Sequence, residues 1–245
     1  MRKLKLLGLL AEMAVAVFLV ALLMPVQGTP QGVVNNYSTS VIGYPAVGLT
    51  PVTSTGMSWA NQGSATFVIT NGIGVFTDTG TGGDKLRVYQ QTLPAAPWTV
   101  TGCIVPVIEV LATHKGGWLD GLAISDGTKF ITFALKHETS TTSDGIAAGK
   151  FSNATTYGGS DIFTERVLQN VPQQICFQLH DDGANRTYST SIDPKVAGWT
   201  QQGTDTDTNY FTATTAGMMM NLYDGGLNSV VVHGSPWVSF NVTPY

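Results

Sequence analysis

Trp118-Leu119-Asp120-Gly121-Leu122-Ala123-Ile124-Ser125-Asp126-Gly127-Thr128-Lys129-Phe130-Ile131-Thr132-Phe133-Ala134-Leu135-Lys136 is the stretch on which the fold turns. Two runs rich in apolar and β-branched residues flank Asp126-Gly127. Asp-Gly between such runs marks a tight β-hairpin, because glycine takes a positive φ at no steric cost. The same punctuation recurs at Asn71-Gly72, Asp144-Gly145, Asp182-Gly183 and Asp224-Gly225-Gly226. Between these turns, short β-rich runs follow one another at spacings of about 8–15 residues, the rhythm of a sandwich. They predict strands over residues 65–70, 74–77, 85–90, 98–108, 118–125, 129–136, 145–151, 174–180, 186–191, 217–223 and 237–242. No convincing amphipathic helix follows residue 30, and no internal repeat suggests a propeller or solenoid. The expected fold class is all-β: one antiparallel, two-sheet β-sandwich.

Composition agrees. The chain has 245 residues, of which 28 are Gly and 32 Thr, with 43% hydrophobic and only 11% charged residues. Threonine is β-branched and suits strands, while glycine suits turns. That hydrophobic content excludes disorder, and the length supplies a core that folds without help from metal.

The N-terminal segment reads differently. Arg2, Lys3 and Lys5 precede an apolar run at residues 13–26, and Pro25, Val26 and Gly28 lead to a plausible cleavage point before Thr29. This is the order of parts in a secretory signal. A spanning helix needs about 20 apolar residues. Reaching that length here buries Glu12, at roughly 2.5–3.5 kcal/mol near a helix centre. Residues 1–28 are therefore read as a signal peptide or, if uncleaved, an N-terminal anchor, which is the chain's one expected contact with a membrane. Residues 29–56, rich in Pro, Gly, Thr and Val without alternation, read as an extended arm or linker, and residues 57–245 as the sandwich. Export to the medium or cell surface is the expected location, with a virion as the alternative.

Residues 1–28 carry three of the twelve basic and one of the sixteen acidic residues, so the remainder is at net −6. No Lys/Arg cluster follows residue 5, and such an acidic surface repels phosphate backbones; nucleic acid is not an expected partner.

Cys103 and Cys176 are the only cysteines. Alternation in Trp98-Thr99-Val100-Thr101-Gly102-Cys103-Ile104 and in Ile175-Cys176-Phe177-Gln178-Leu179-His180 puts both thiols on the face opposite the main apolar stripe. Neighbouring strands would bring them together as one disulfide, as suits an exported chain; two free thiols on separate strands is the other reading.

Several stretches in series resemble a known family. They are Trp59-Ala60-Asn61-Gln62-Gly63-Ser64-Ala65-Thr66, Ala96-Pro97-Trp98-Thr99-Val100-Thr101, the 121–133 hairpin, Asp181-Asp182-Gly183-Ala184-Asn185-Arg186-Thr187-Tyr188-Ser189, and Ser191-Ile192-Asp193 with Gly198-Trp199-Thr200. Their order over residues 57–243 is similar to the concanavalin A-like lectin/glucanase sandwiches, especially the laminin-G-like versions of phage virion and bacterial exported proteins. The resemblance implies a jelly roll that binds carbohydrate or another surface ligand, with glycosidases among its members.

Residue chemistry narrows that range. Glycosidases use two carboxylates about 5–9.5 Å apart. The related glucanases place theirs as Glu-x-Asp-x-Glu on one strand. Here Glu109, Glu138 and Glu165 have no acidic residue two positions away, which argues against a hydrolase or lyase. No Gly-x-Ser-x-Gly is present, and His114, His137, His180 and His233 are scattered, so no catalytic residue is assigned.

Sugar binding needs an aromatic platform beside polar groups, which Trp118 with Asp120 and Tyr223 with Asp224 offer, although strand aromatics are more often core. Asp181 and Asp182 are a weak candidate for calcium, set against a plain hairpin turn; no other cofactor is implied. Asn-x-Ser/Thr sequons stand at Asn36, Asn153, Asn185 and Asn241. The functional expectation is a non-catalytic module that recognises carbohydrate or a surface glycoconjugate. A structural role in a virion or envelope assembly, as a homo-oligomer, is the alternative.

Overall fold

The structure is a computed structural model that describes residues 50–78, 83–106, 117–138, 143–168, 174–206, 210–223 and 233–245. Two units divide the chain, at residues 1–43 and 44–245. The signal or anchor segment and most of the arm lie outside the described residues.

Fourteen strands make up the described part of the second unit. They are β1 (Ser58–Ala60), β2 (Thr66–Thr70), β3 (Ile73–Asp78), β4 (Arg87–Thr92), β5 (Trp98–Ile104), β6 (Trp118–Ser125), β7 (Phe130–Glu138), β8 (Ser143–Asn153), β9 (Thr156–Leu168), β10 (Ile175–Asp181), β11 (Asn185–Ser191), β12 (Thr200–Thr206), β13 (Thr215–Leu222) and β14 (His233–Pro244). They form two seven-stranded antiparallel sheets. Sheet A runs β1-β4-β13-β6-β7-β8-β9, and sheet B runs β12-β11-β10-β5-β14-β3-β2. This is the concanavalin A-like jelly-roll sandwich that the sequence resembles.

The deciding hairpin forms as its residues dictate. β6 and β7 pair from Ser125↔Phe130 to Trp118↔His137, and Gly127 has φ 99°. Asp126 Oδ1 accepts the Thr128 and Lys129 amides, closing the turn. Because strand side chains alternate, each sheet presents one face inward. Leu122, Ile124, Phe133, Met218 and Met220 of sheet A meet Val100, Phe177, Leu179, Tyr188 and Trp237 of sheet B in one core, all at most 1% exposed. Gly102 is required here, since a Cβ would meet the Trp237 ring at 2.7 Å. Val52 also belongs to this core, with its amide donating to Gly72 O at 3.0 Å, so the end of the predicted arm is part of the packed structure.

Inside the core, Arg186 is fully buried and pairs with Asp181, Nε to Oδ2 at 3.2 Å, while its Nη2 donates to Phe211 O at 2.6 Å. Arg87 and Asp78 form a second buried pair at 3.0 Å. Such pairs tolerate burial because other hydrogen bonds compensate part of the desolvation cost.

Cys103 and Cys176 are paired in register between β5 and β10 and form the disulfide. The free-thiol alternative is thereby excluded.

Candidate functional site

The outer face of sheet A carries a second apolar cluster, and it exists because one hairpin leaves the plane of the sheet. Four register shifts interrupt the β8–β9 ladder, between residues 146 and 153 on β8. Bulges of this kind bend and twist the strand that contains them. Three strands separate β8 from β4 in the sheet order, so within the plane they would lie about 19 Å apart, at 4.7–4.9 Å per step. Yet the hairpin tip reaches the residue just before β4: the Leu86 amide donates to Ala154 O at 2.8 Å. Phe151 belongs to one buried apolar cluster with Leu86, Val88, Leu119, Ala123, Phe130, Ala134 and Met219, and Ala154 packs against it. At the tip, Asn153 Oδ1 accepts both the amide and the hydroxyl of Thr155 at 2.9 Å. The hairpin is thus folded over the β4 side of the face and fastened there.

Beside this roof lies a cavity of about 270 Å³. Small residues form its floor: Ala147 and Gly149 on β8 and Thr132 on β7, with Leu119 on β6. Phe151 and Tyr157 of the hairpin form one wall, and Tyr223, just past β13, lies on another. Gly149 keeps the floor open, since a Cβ there would sit 3.3 Å from the Tyr157 ring and 3.4 Å from Asp161 Oδ1.

The polar groups are held in place. Tyr157 hydroxyl donates to Asp161 Oδ1 at 2.5 Å. Burial, then the hydrogen bond and charge of Asp161, then the charge of Asp84, push the Tyr157 phenol well above its usual range, so it stays a donor at neutral pH. Lys136 Nζ pairs with Glu165 Oε2 at 2.9 Å, both about four-fifths buried. Asp84 Oδ1 accepts Asn221 Nδ2 at 3.2 Å, and Asn221 is fully buried and also accepts the Lys85 amide. Tyr223 hydroxyl donates to His137 O at 2.9 Å, and a Cβ on Gly117 would collide with its ring. Two carboxylates, an ammonium, a phenol and aromatic faces in one small cavity suit a compact polyhydroxyl ligand.

Of the residues singled out in the sequence, Tyr223 lines this cavity. Trp118 and Asp120 alternate to the other side of β6, with Leu122: Trp118 belongs to the core at 8% exposure and stacks on His137, and Asp120 is 1% exposed. They do not share the Tyr223 cavity, and Asp224 lies outside the described residues. Asp181 is committed to Arg186 and to the Gly183 amide. Asp182 Oδ1 accepts the amides of Ala184 and Asn185, which hold its carboxyl below the usual range. This is the geometry of the hairpin turn. Among the described residues no group of three or more His, Cys, Asp or Glu is placed to hold a metal. Trp199 is half-buried and stands outside both apolar clusters.

Sequence reasoning missed Asp84, Lys136, Tyr157 and Asp161. Paired acids on one strand would show as a period-2 motif, whereas these carboxylates come from the segment before β4 and from β9.

No family model and no curated protein sequence matches the chain. Solved structures do. A functionally unknown protein from Saccharomyces cerevisiae matches with TM-score 0.55 and 8% identity over 79% of this chain and 99% of its own. A bifunctional GH43-CE protein of Bacteroides eggerthii matches with TM-score 0.52 and 14% identity over 78% of this chain and 24% of its own. The GH43 protein BlXynB of Bacillus licheniformis matches with TM-score 0.50 and 10% identity over 80% of this chain and 38% of its own. The chain therefore spans the whole of the yeast protein but well under half of the two GH43 proteins. At these identities the likeness is one of fold.

Proposed function

We propose that this protein is a non-catalytic recognition module that binds carbohydrate in the cavity on the outer face of sheet A. The observation that carries this reading is the convergence of Tyr157, Asp161, Asp84, Lys136 and Tyr223 around a small-residue floor. Hydroxyl-rich ligands are recognised by such mixed donors and acceptors beside aromatic faces, and the floor admits them to the backbone. The site differs from the expected set of Trp118, Asp120, Tyr223 and Asp224: it is built on the sheet face, with Tyr223 as the shared member. Export to the surface or medium accompanies this reading, supported by the disulfide, which needs an oxidising compartment, and by the basic-then-apolar N-terminus.

The test is a glycan array followed by calorimetry on the best ligand. Tyr157→Ala and Asp161→Ala are expected to weaken binding at least about tenfold, which is ~1.4 kcal/mol each. Failure of every glycan to bind at millimolar concentration overturns the proposal.

One observation favours a second reading: Asp84 and Asp161 share the cavity, as an acid and a base of a glycoside hydrolase would. Against it, each already accepts a hydrogen bond from the protein's own side chains. Degradation of a polysaccharide panel, abolished by both Asp84→Asn and Asp161→Asn, would establish it.

A further inference from the structure

We infer that the cavity takes the end of a glycan, its last one or two units, and does not take a stretch inside a longer chain. The inference rests on the carbohydrate reading above and goes further by fixing which part of the polymer is read. A sheet face that binds the middle of a chain must let the chain run on past the site in both directions. Here one direction is blocked. The β8–β9 hairpin crosses the outer face of sheet A on the β4 side, with the Leu86 amide bonded to Ala154 O at 2.8 Å and Phe151 in one buried apolar cluster with Leu86, Val88, Ala134 and Met219.

That block is part of the fold. Phe151 is 2% exposed and Leu86 fully buried, so lifting the hairpin would expose an apolar cluster. Tyr157, on the same hairpin, points its hydroxyl at Asp161 and so builds the wall from which the ligand is bound. A single element therefore both contacts the ligand and stops it. The volume agrees: about 270 Å³ lies just below the 300–1,000 Å³ common for drug-sized ligands, enough for one or two sugar rings.

The experiment titrates the intact protein with xylo-, cello- and laminari-oligosaccharides of one to six units, by calorimetry or NMR. The set includes hexasaccharides capped by O-methylation at either the reducing or the non-reducing end. For whichever series binds, affinity should reach its plateau by the disaccharide, with the hexasaccharide within about threefold of it. One of the two caps should abolish binding. Affinity that climbs more than about tenfold from disaccharide to hexasaccharide, or equal binding of both capped forms, overturns the inference and leaves the carbohydrate reading standing. Binding by none of these probes or by any array glycan overturns both. A variant lacking Ala154 and Thr155 gives a second readout. With the block shortened, hexasaccharide affinity should rise relative to disaccharide, and an unchanged ratio in a folded variant counts against the hairpin as the stop.

Discussion

Tyr157 shows how far one side chain's behaviour depends on its neighbours. Its hydroxyl is bound to a carboxylate with a second acid nearby, and its phenolate is therefore disfavoured in the folded protein. In the unfolded chain a tyrosine ionises near pH 10. The folded value is raised, so the stabilisation is fully present below about pH 10 and is lost as pH rises through the folded value. A spectrophotometric titration should show a late-ionising component to which Tyr157 contributes, and Tyr157→Phe should diminish it; an unchanged late component in that variant would contradict this. None of it was legible in Tyr157-Gly158-Gly159-Ser160-Asp161, which lies outside every predicted strand. Tyr223 could be singled out because it ends an apolar run beside an acid. Trp118 and Asp120 have the same local appearance, and only the parity of β6 separates them from Tyr223 by sending them inward.

At the level of elements, hydrophobic alternation located eleven of the fourteen strands, including every strand with neighbours on both sides. The three it missed, β1, β9 and β12, are all edge strands. The physical reason is visible in β12, Thr-Gln-Gln-Gly-Thr-Asp-Thr, which is half-exposed along its length and needs no apolar stripe. β9 is hidden by its glycines and by the register shifts that let its hairpin bend. Those shifts are also why the roofed cavity could not be foreseen, because a sequence pattern gives parity but not curvature. The roof has a measurable signature. The Leu86 amide is protected by Ala154 O, outside any strand ladder. Phe151→Ala should speed its hydrogen exchange far more than that of amides in the β13–β6 ladder, and should cost about 3–5 kcal/mol if the cluster cannot collapse. Uniform acceleration across both would mean the hairpin does not open as a separate unit.

For the molecule as a whole, the disulfide is the strongest single constraint. Alternation placed both cysteines opposite the core stripe but left a bridge and two free thiols open; the direct pairing of β5 with β10 decides between them. The bridge closes a loop with a sequence separation of 73 residues. On the chain-entropy account, replacing both cysteines with alanine should lower the unfolding free energy by about 4 kcal/mol, measured in urea; a loss below about 1 kcal/mol would show that the unfolded chain gains little from release. The position of the loop matters as much as its size. The chain leaves sheet B at β5, lays down β6, β7, β8 and β9 in succession, and rejoins sheet B at β10 beside its point of departure. Four adjacent strands of sheet A, with the bent hairpin and most of the cavity, thus lie within one covalent ring. A protease that cuts once between β6 and β9 would leave a single molecule on a non-reducing gel and two pieces on a reducing one, whereas a cut beyond β10 would separate the fragments under both conditions. A single cut inside that ring would thus leave the cavity-bearing part of the protein nicked but undivided.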